Sequence, residues 1–256
     1  MKQFLRYIFL LVAFLTATTP AWAWRGAKAV VISDPEQGGW VWVSKDNAAP
    51  STWDRTEDES SQSNNKVTSY DFTFYRFYKA NSNFVFKGWS ENQNANTGTT
   101  SSSCTISGNL TNYNTKTYYA IFATLQSTAH NTTVQLDDTK VDEQSSKSIS
   151  IKHAHAGTVT LSLSGTNASD FSLSEKSFTS ISYQGGKNIT IYFKPTCAGE
   201  RTATLTISST NGLNPITIYL KANGLRHDPN SISWVEPINT EMFIGDTRTV
   251  NVNATT

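Results

Sequence analysis

Residues 187–207 read KNITIYFKPTCAGERTATLTI, and this stretch decides the fold class. On both sides of Pro195 and Gly199 the residues alternate between apolar and polar. A period of two places every second side chain on the same face of a β-strand, and Pro and Gly are turn formers. The stretch therefore predicts two strands joined by a turn, with buried faces lined by Ile189, Ile191 and Phe193 and by Ala203, Leu205 and Ile207.

The same alternation extends over residues 133–220 and predicts six or seven strands. Their regular spacing is typical of a β-sandwich, in which one apolar face of each strand fills the space between two sheets. The strands are separated by turn residues at Ala156-Gly157, Gly165–Asn167, Gly185-Gly186, Ala198-Gly199 and Asn211-Gly212.

A longer motif, F-x-P-x(3)-G-x(3)-A-x-L-x-I, is matched by Phe193, Pro195, Gly199, Ala203, Leu205 and Ile207, with Asp170-Phe171 upstream and Asn223-Gly224 at the end. With this motif, this part of the chain resembles the immunoglobulin-like domain of hydin and abnormal-spindle proteins and of bacterial choice-of-anchor D proteins. The resemblance covers nearly the whole segment and implies an immunoglobulin-like sandwich over residues 126–224. That fold hosts many roles, so the resemblance transfers no function.

Residues 24–125 predict a first β module. Ala27 to Ser44 indicates a hairpin around the turn Pro35-Glu-Gln-Gly-Gly39. In its second strand, Trp40 and Trp42 share one face while Val41 and Val43 share the other. Because a strand that is apolar on both faces is an aggregation hazard at an edge, we expect it inside the sheet.

Trp40, Trp42 and Trp53 are the candidate binding residues. Large aromatic side chains are mostly buried, so one interpretation is that these rings pack in the core. The other interpretation is a tryptophan platform that stacks on a sugar ring or a peptide. Both remain open at this point.

The rest of the module predicts strands between polar loops. Asn47 to Ser69 reads as a solvated loop, and its acidic residues lack the D-x-[DN]-x-[DN]-G spacing of a calcium site. The apolar phase flips between Phe74 and Tyr75, which predicts a β-bulge or a corner. Gly88 would let the backbone bend or approach closely before Trp89, whose burial we expect. A second polar loop, residues 92–107, contains Cys104.

Four motifs of the first module share a pattern with a known repeat family: Pro35…Gly38-Gly39 with Val41-Trp-Val43, Tyr78-Lys-Ala-Asn81, Phe84-Val-Phe-Lys-Gly-Trp-Ser90 and Tyr118-Tyr-Ala-Ile-Phe122. With these motifs, residues 27–123 resemble a divergent internalin-B-type B-repeat of bacterial surface proteins. The resemblance implies a compact, grasp-like β module on a secreted or cell-surface protein, and it implies no enzyme. This copy departs from the family in its long acidic loop and in standing alone.

The first 23 residues predict an export signal. Lys2 and Arg6 precede the apolar run Tyr7–Leu15, and Ala21-Trp-Ala23 is a small-x-small cleavage site. The run is shorter than the roughly 20 residues of a membrane span, so we expect removal and a secreted or cell-surface protein. Loss of Lys2 and Arg6 lowers the formal net charge from +1 to −1. This charge offers no attraction for nucleic acid.

The sequence predicts no disulfide framework, metal or cofactor. Cys104 and Cys197 are the two cysteines, one in each predicted module, whereas disulfide frameworks place several pairs within one small module. His153 and His155 would face the same way on a strand, and imidazole is a zinc ligand. No third ligand completes a tetrahedron.

Residues 225–256 predict an incomplete third β module, since about 30 residues are too few to bury a core alone. One interpretation is that the sequence is a fragment of a longer protein. The other is that residues 226–256 pair, as donated strands, with another chain.

No catalytic signature stands out, because the sequence contains no G-x-S-x-G, H-E-x-x-H or phosphate-binding glycine loop. Paired carboxylates that are distant in sequence stay open. We expect an all-β, non-catalytic, secreted or surface-displayed bacterial protein whose modules serve as adhesive or spacer units. Its partner would be an extracellular protein or glycan. The alternative is an accessory, glycan-binding N-terminal part of a larger exported enzyme.

Overall fold

The computed structural model describes residues 27–50, 53, 64–69, 73–106, 114–226, 231–234 and 252–255. The chain is all-β, as its alternation predicts, and its described helices are two 3-10 turns at Glu36–Gly38 and Ala168–Asp170. The expected export signal, residues 1–23, lies outside the described residues.

Eighteen described strands follow one another along the chain. They are β1 Ala27–Asp34, β2 Gly39–Ser44, β3 Asn64–Ser69, β4 Thr73–Ala80, β5 Val85–Ser90, β6 Ser103–Thr105, β7 Asn114–Gln126, β8 Thr133–Gln135, β9 Thr139–Lys140, β10 Ser145–Ala154, β11 Gly157–Ser164, β12 Phe171–Leu173, β13 Ser177–Ser180, β14 Gln184–Phe193, β15 Gly199–Ser209, β16 Ile216–Leu225, β17 Ser231–Trp234 and β18 Val252–Thr255.

The first module has two layers. In one layer β1 lies between β3, antiparallel, and β7, parallel, while β5 pairs with β7. The other layer is a three-stranded sheet in the order β2-β4-β6. Between them lies a core formed by Ala27, Ala29, Val31, Val41, Val43, Phe74, Trp89, Ile106, Tyr118, Ala120 and Phe122.

The predicted hairpin of β1 and β2 is wrong. β1 pairs with β3 and β7, and β2 pairs with β4, so the segment between them carries the chain from one layer to the other. Gly38 and Gly39 permit this crossing because a Cβ on either would lie within 2.8 Å of the Phe122 side chain. The turn residues predicted that the chain reverses direction after β1, but they could not indicate which sheet β2 would join.

Two further predictions about the three-stranded sheet are corrected. Among the described residues β2 pairs with β4 alone, so it is an edge strand and not an interior one. β4 runs through Phe74 and Tyr75 without a register shift against β2 or β6. The apolar phase flips there because both faces of β4 carry aromatic residues, and no bulge is needed.

The two predicted loops contain strands. Residues 64–69 form β3 at the edge of β1, and Cys104 lies in β6 beside β4. Polar residues suit both strands because each pairs with a neighbour on one side only. The acidic residues Asp54, Glu57, Asp58 and Glu59 lie outside the described residues.

The second module is the predicted two-sheet sandwich of immunoglobulin-like type. One sheet has the order β12-β14-β10 and the other β13-β11-β15-β16-β8, with β9 also pairing with β16. The alternating residues named above fill the space between the sheets, and Ile189, Ile191, Phe193, Leu205 and Ile207 are completely buried.

Strand β7 joins the two modules. Its residues Thr124 to Gln126 pair with Lys152 to Ala154 of β10, so the β12-β14-β10 sheet continues into the β7-β1-β3 layer, and with β5 beside β7 they form one seven-stranded sheet. Within the third predicted module, β17 and β18 pair with each other and most other residues lie outside the described part of the chain. No helix among the described residues has the length and apolar character of a membrane span.

Candidate functional site

The outer face of the β2-β4 pair is aromatic. Trp42 lies directly opposite Phe77, and Tyr75 lies opposite Ser44, on the face that points away from the core. Trp40 shares that face one step further along β2, because alternate residues of a strand point the same way. We call Trp40, Trp42, Tyr75 and Phe77 the aromatic face.

The aromatic face is partly open. Trp40, Tyr75 and Phe77 are half-buried, whereas Trp42 is only 9 % exposed and its indole Nε1 has no hydrogen-bond partner. Trp53 is half-buried and is the single described residue between Pro50 and Asn64. Trp40 and Trp42 are therefore brought together on one face, and the binding role of all three tryptophans stays a prediction.

Arg76 lies on the opposite, core-facing side of β4. Its side chain is 3 % exposed, and its guanidinium lies 4.5 Å from the Tyr118 ring centroid and 5.3 Å from that of Trp89. Its Nη2 donates to the carbonyls of Ser101, at 2.9 Å, and Ser103, at 3.2 Å. These contacts attach the loop before β6 to the core through a cation stabilised by aromatic rings.

Burial shifts the titration of the groups around Arg76. Burial lowers the pKa of Arg76, because the charged guanidinium loses its water. The nearby Cys104 and Tyr118 raise that pKa and so oppose the shift. Burial raises the pKa of the Cys104 thiol and raises the pKa of Tyr118 to about 12. Cys104 is half-buried and Cys197 exposed, and both are free. At neutral pH the cluster thus holds one cation, a thiol and a phenol.

His153 occupies a core position at the end of β10. It is 3 % exposed, and its Nδ1 lies 2.9 Å from the Ser180 hydroxyl, while its Nε2 has no partner. Burial is the main cause that lowers its pKa, nearby Lys187 lowers it further, and Glu175 opposes the shift. The imidazole is therefore neutral at physiological pH.

His155 is completely buried where the two modules meet. Its Nε2 lies 3.3 Å from Asp34 Oδ2 of β1, without the direction of a hydrogen bond. His153 and His155 thus contact different partners. Within the described part of the chain no cluster of three or more His, Cys, Asp or Glu residues could hold a metal ion.

A cavity of about 240 Å³ lies beside His153 at the open edge between the two sheets of the sandwich. It is lined by His153, Phe178, Thr179, Gln184 and Lys187. Sequence reasoning considered His153 only as a zinc ligand. It missed the cavity because β13 and β14 lie in different sheets, and nothing in the alternation of either strand says which side chains meet at the edge.

The two-sheet sandwich places the second module in the class of immunoglobulin-like β domains. No protein-family model matches the chain, and the comparison with curated proteins found no match. The structural comparison found likenesses to solved structures, each over a part of this chain in the examples that follow.

One is to the ASH/PapD-like domain of human CEP192, at 14% identity and TM-score 0.31 over 41% of this chain and 87% of that one. Another is to WR4, a C. elegans MSP family member, at 8% identity and TM-score 0.25 over 35% and 92%. A third is to a family 123 glycoside hydrolase from Clostridium perfringens, at 13% identity and TM-score 0.28 over 42% and 28%.

Proposed function

We propose that this chain is a non-catalytic, secreted or cell-surface bacterial protein whose β modules act as adhesive and spacer units. The observation that carries the proposal is the aromatic face, where three half-exposed rings lie on one flat side of a sheet. Such rings offer a large apolar contact area at a low entropic cost. The shared strand β7 supports the spacer role, because it ties the two modules through backbone hydrogen bonds.

The finer family assignments belong to the same proposal. We assign residues 27–123 to the B-repeat type and residues 126–224 to the choice-of-anchor D type of immunoglobulin-like domain. Export through a cleaved signal at residues 1–23 would bring the aromatic face to an extracellular protein or glycan.

A binding screen of the mature chain against glycan and matrix-protein arrays tests the adhesive role. Trp40→Ala and Phe77→Ala should each abolish the binding of a captured ligand while the melting temperature stays near that of the parent. Tyr219→Ala is the matched control, since Tyr219 is an aromatic residue 47 % exposed on β16 of the second module. Equal binding by all three variants would remove the aromatic face as the contact surface.

The alternative is an accessory, glycan-binding part of a larger exported enzyme. It is favoured by the fact that flat aromatic surfaces also stack on sugar rings. A catalytic motif in the reading frame after Thr256, or hydrolytic activity of the natural full-length product, would establish it. A downstream sorting signal with more repeats would favour the adhesin.

Strand pairing with another chain through residues 226–256 remains part of the proposal on partners. Sedimentation of the mature chain with and without residues 226–256 tests it. A monomer whose mass changes only by the deleted residues would rule out strand exchange.

A further inference from the structure

The loop between β15 and β16 begins with an Asn-Gly pair, Asn211 and Gly212. In such a pair the glycine backbone nitrogen can attack the asparagine side-chain carbon Cγ, because glycine has no side chain to hinder the approach. Gly212 is exposed and has a φ of +65°, and a Cβ placed on it would meet no atom within 4 Å. The loop therefore leaves room for a succinimide ring to form.

The other Asn-Gly pair of the sequence, Asn223-Gly224, lies inside strand β16. Gly224 pairs with Gly199 of β15 on one side and with Thr139 of β9 on the other. A Cβ on Gly224 would lie 2.3 Å from the carbonyl oxygen of Cys197. Pairing on both sides and close packing hold this backbone in the extended form, so its nitrogen cannot turn toward the Asn223 side chain.

The Asn211 side chain belongs to the junction between the modules. Its Nδ2 donates to the carbonyl of Asn96 in the first module, at 2.7 Å, and to that of His155, at 2.6 Å. Deamidation replaces this nitrogen with oxygen. A carboxylate accepts hydrogen bonds and donates none, so it would face two carbonyl oxygens. Two attractive contacts would thus become repulsive ones.

We propose that Asn211 is a deamidation site whose conversion irreversibly weakens the junction between the two modules. The Gly212 nitrogen bonds to Asn211 Cγ and gives up its proton, Nδ2 leaves as ammonia, and water then opens the succinimide to aspartate or isoaspartate. The reaction proceeds when residues 211–215 open locally. Its product cannot restore the two hydrogen bonds. The site is separate from the aromatic face and does not depend on the proposed function.

Peptide mapping of the mature chain after incubation in mildly alkaline water labelled with 18O tests the site. Trypsin cuts after Lys221, which lies between the two Asn-Gly pairs, so Asn211 and Asn223 fall in separate peptides. We expect the Asn211 peptide to take up the label and the Asn223 peptide to stay unlabelled. In the urea-denatured chain both should take it up, because β16 no longer holds Asn223. Asn214 does not compete, since the following Pro215 has no N–H.

Three variants measure the effect on the junction. Asn211→Asp reproduces the product and should lower the melting temperature more than Asn211→Ala does. The alanine only removes two hydrogen bonds, whereas the carboxylate also repels the carbonyls of Asn96 and His155. Asn214→Asp is the matched control, because it places the same charge at an exposed position of the same loop. It should melt close to the parent.

The proposal is overturned if the Asn211 peptide stays unlabelled in the native chain, or if the Asn223 peptide takes up label as fast. It is also overturned if Asn211→Asp melts like Asn211→Ala, since the new carboxylate would then add no repulsion. A melting temperature that Asn214→Asp lowers as much as Asn211→Asp would equally exclude an effect through the junction.

Discussion

Trp89 holds the aromatic part of the first core together. It is 2 % exposed, its ring meets Phe86 edge-on at 5.5 Å, and it lies under the Arg76 guanidinium. A residue in this position contributes packing and a cation–aromatic contact at the same time. Loss of the Trp89 ring therefore leaves a cavity and removes one of the two aromatic rings that contact the buried Arg76 guanidinium.

We expect Trp89→Ala to lower the free energy of unfolding by about 3–5 kcal/mol, the usual cost of truncating a buried aromatic residue. Thermal melting followed by far-ultraviolet circular dichroism measures it. Trp40→Ala, at a half-buried position on the aromatic face, is the control and should melt close to the parent. An unchanged melting temperature for Trp89→Ala would contradict the burial seen here.

His153 should make the second module sensitive to acid. Its folded-state pKa lies below the ordinary value of about 6.5 that it has when unfolded. The unfolded chain therefore takes up the proton first, and the stability that is fully present above pH 6.5 is lost as the pH falls through the folded-state pKa. The urea concentration at the unfolding midpoint should therefore decrease when the pH is lowered from 8 to 5. His153→Gln should reduce this fall, whereas His130→Gln, at an exposed position, should preserve it. Equal pH profiles for the two variants would count against the assignment.

At the scale of the element, alternation predicted which face of each strand is buried but not which strands pair. In β10, Ile149 and Ile151 set a buried phase that His153 continues, although nothing in the sequence pattern assigns a polar histidine to the core. In β4, Arg76 is likewise a polar residue at a buried position, and its neighbours along the strand are aromatic. Neither could be predicted, because burial of a polar group depends on partners from distant strands, here Ser180 for His153 and Tyr118 for Arg76.

Strand β5 depends on one glycine. Its pairing with β7 shifts register between Phe86 and Gly88. Gly88 has a backbone φ of +121°, a value that residues with a side chain rarely adopt. A Cβ at Gly88 would lie 2.4 Å from the Gly98 carbonyl carbon and oxygen. The sequence did predict a bend or close approach here, because Gly precedes Trp89, although it could not indicate Gly98 as the partner.

Gly88→Ala should destabilise the first module by about 1–3 kcal/mol, since the strained φ and the clash both oppose the folded state. Gly185→Ala is the matched control at a strand position where the nearest atoms to an added Cβ are 3.8 Å away. Denaturant unfolding of the two variants compares them directly. Equal midpoints would mean that the bulge tolerates a side chain.

At the scale of the whole molecule, the junction is built from backbone and polar contacts. Besides the pairing of β7 with β10, Asn211 Nδ2 donates to the carbonyl of Asn96, at 2.7 Å, and to that of His155, at 2.6 Å. Asp34 approaches His155 from the first module. A continuous sheet that is reinforced by these polar contacts favours unfolding of the two modules together over unfolding of each module alone.

Joint unfolding can be measured because residues 126–224 contain no tryptophan, so selectively excited tryptophan fluorescence does not report directly on the second core. Leu205→Ala should remove about 2–5 kcal/mol from that core. If β7 couples the modules, the tryptophan midpoint should fall together with the circular dichroism midpoint. Adding Asn211→Ala, which removes the side-chain hydrogen bond across the junction to Asn96 as well as the one to His155 within the second module, should separate the two transitions. If Leu205→Ala leaves the midpoint of the tryptophan transition unchanged, the modules unfold independently despite their common sheet. The spacer would then have a hinge at β7 and would not be rigid.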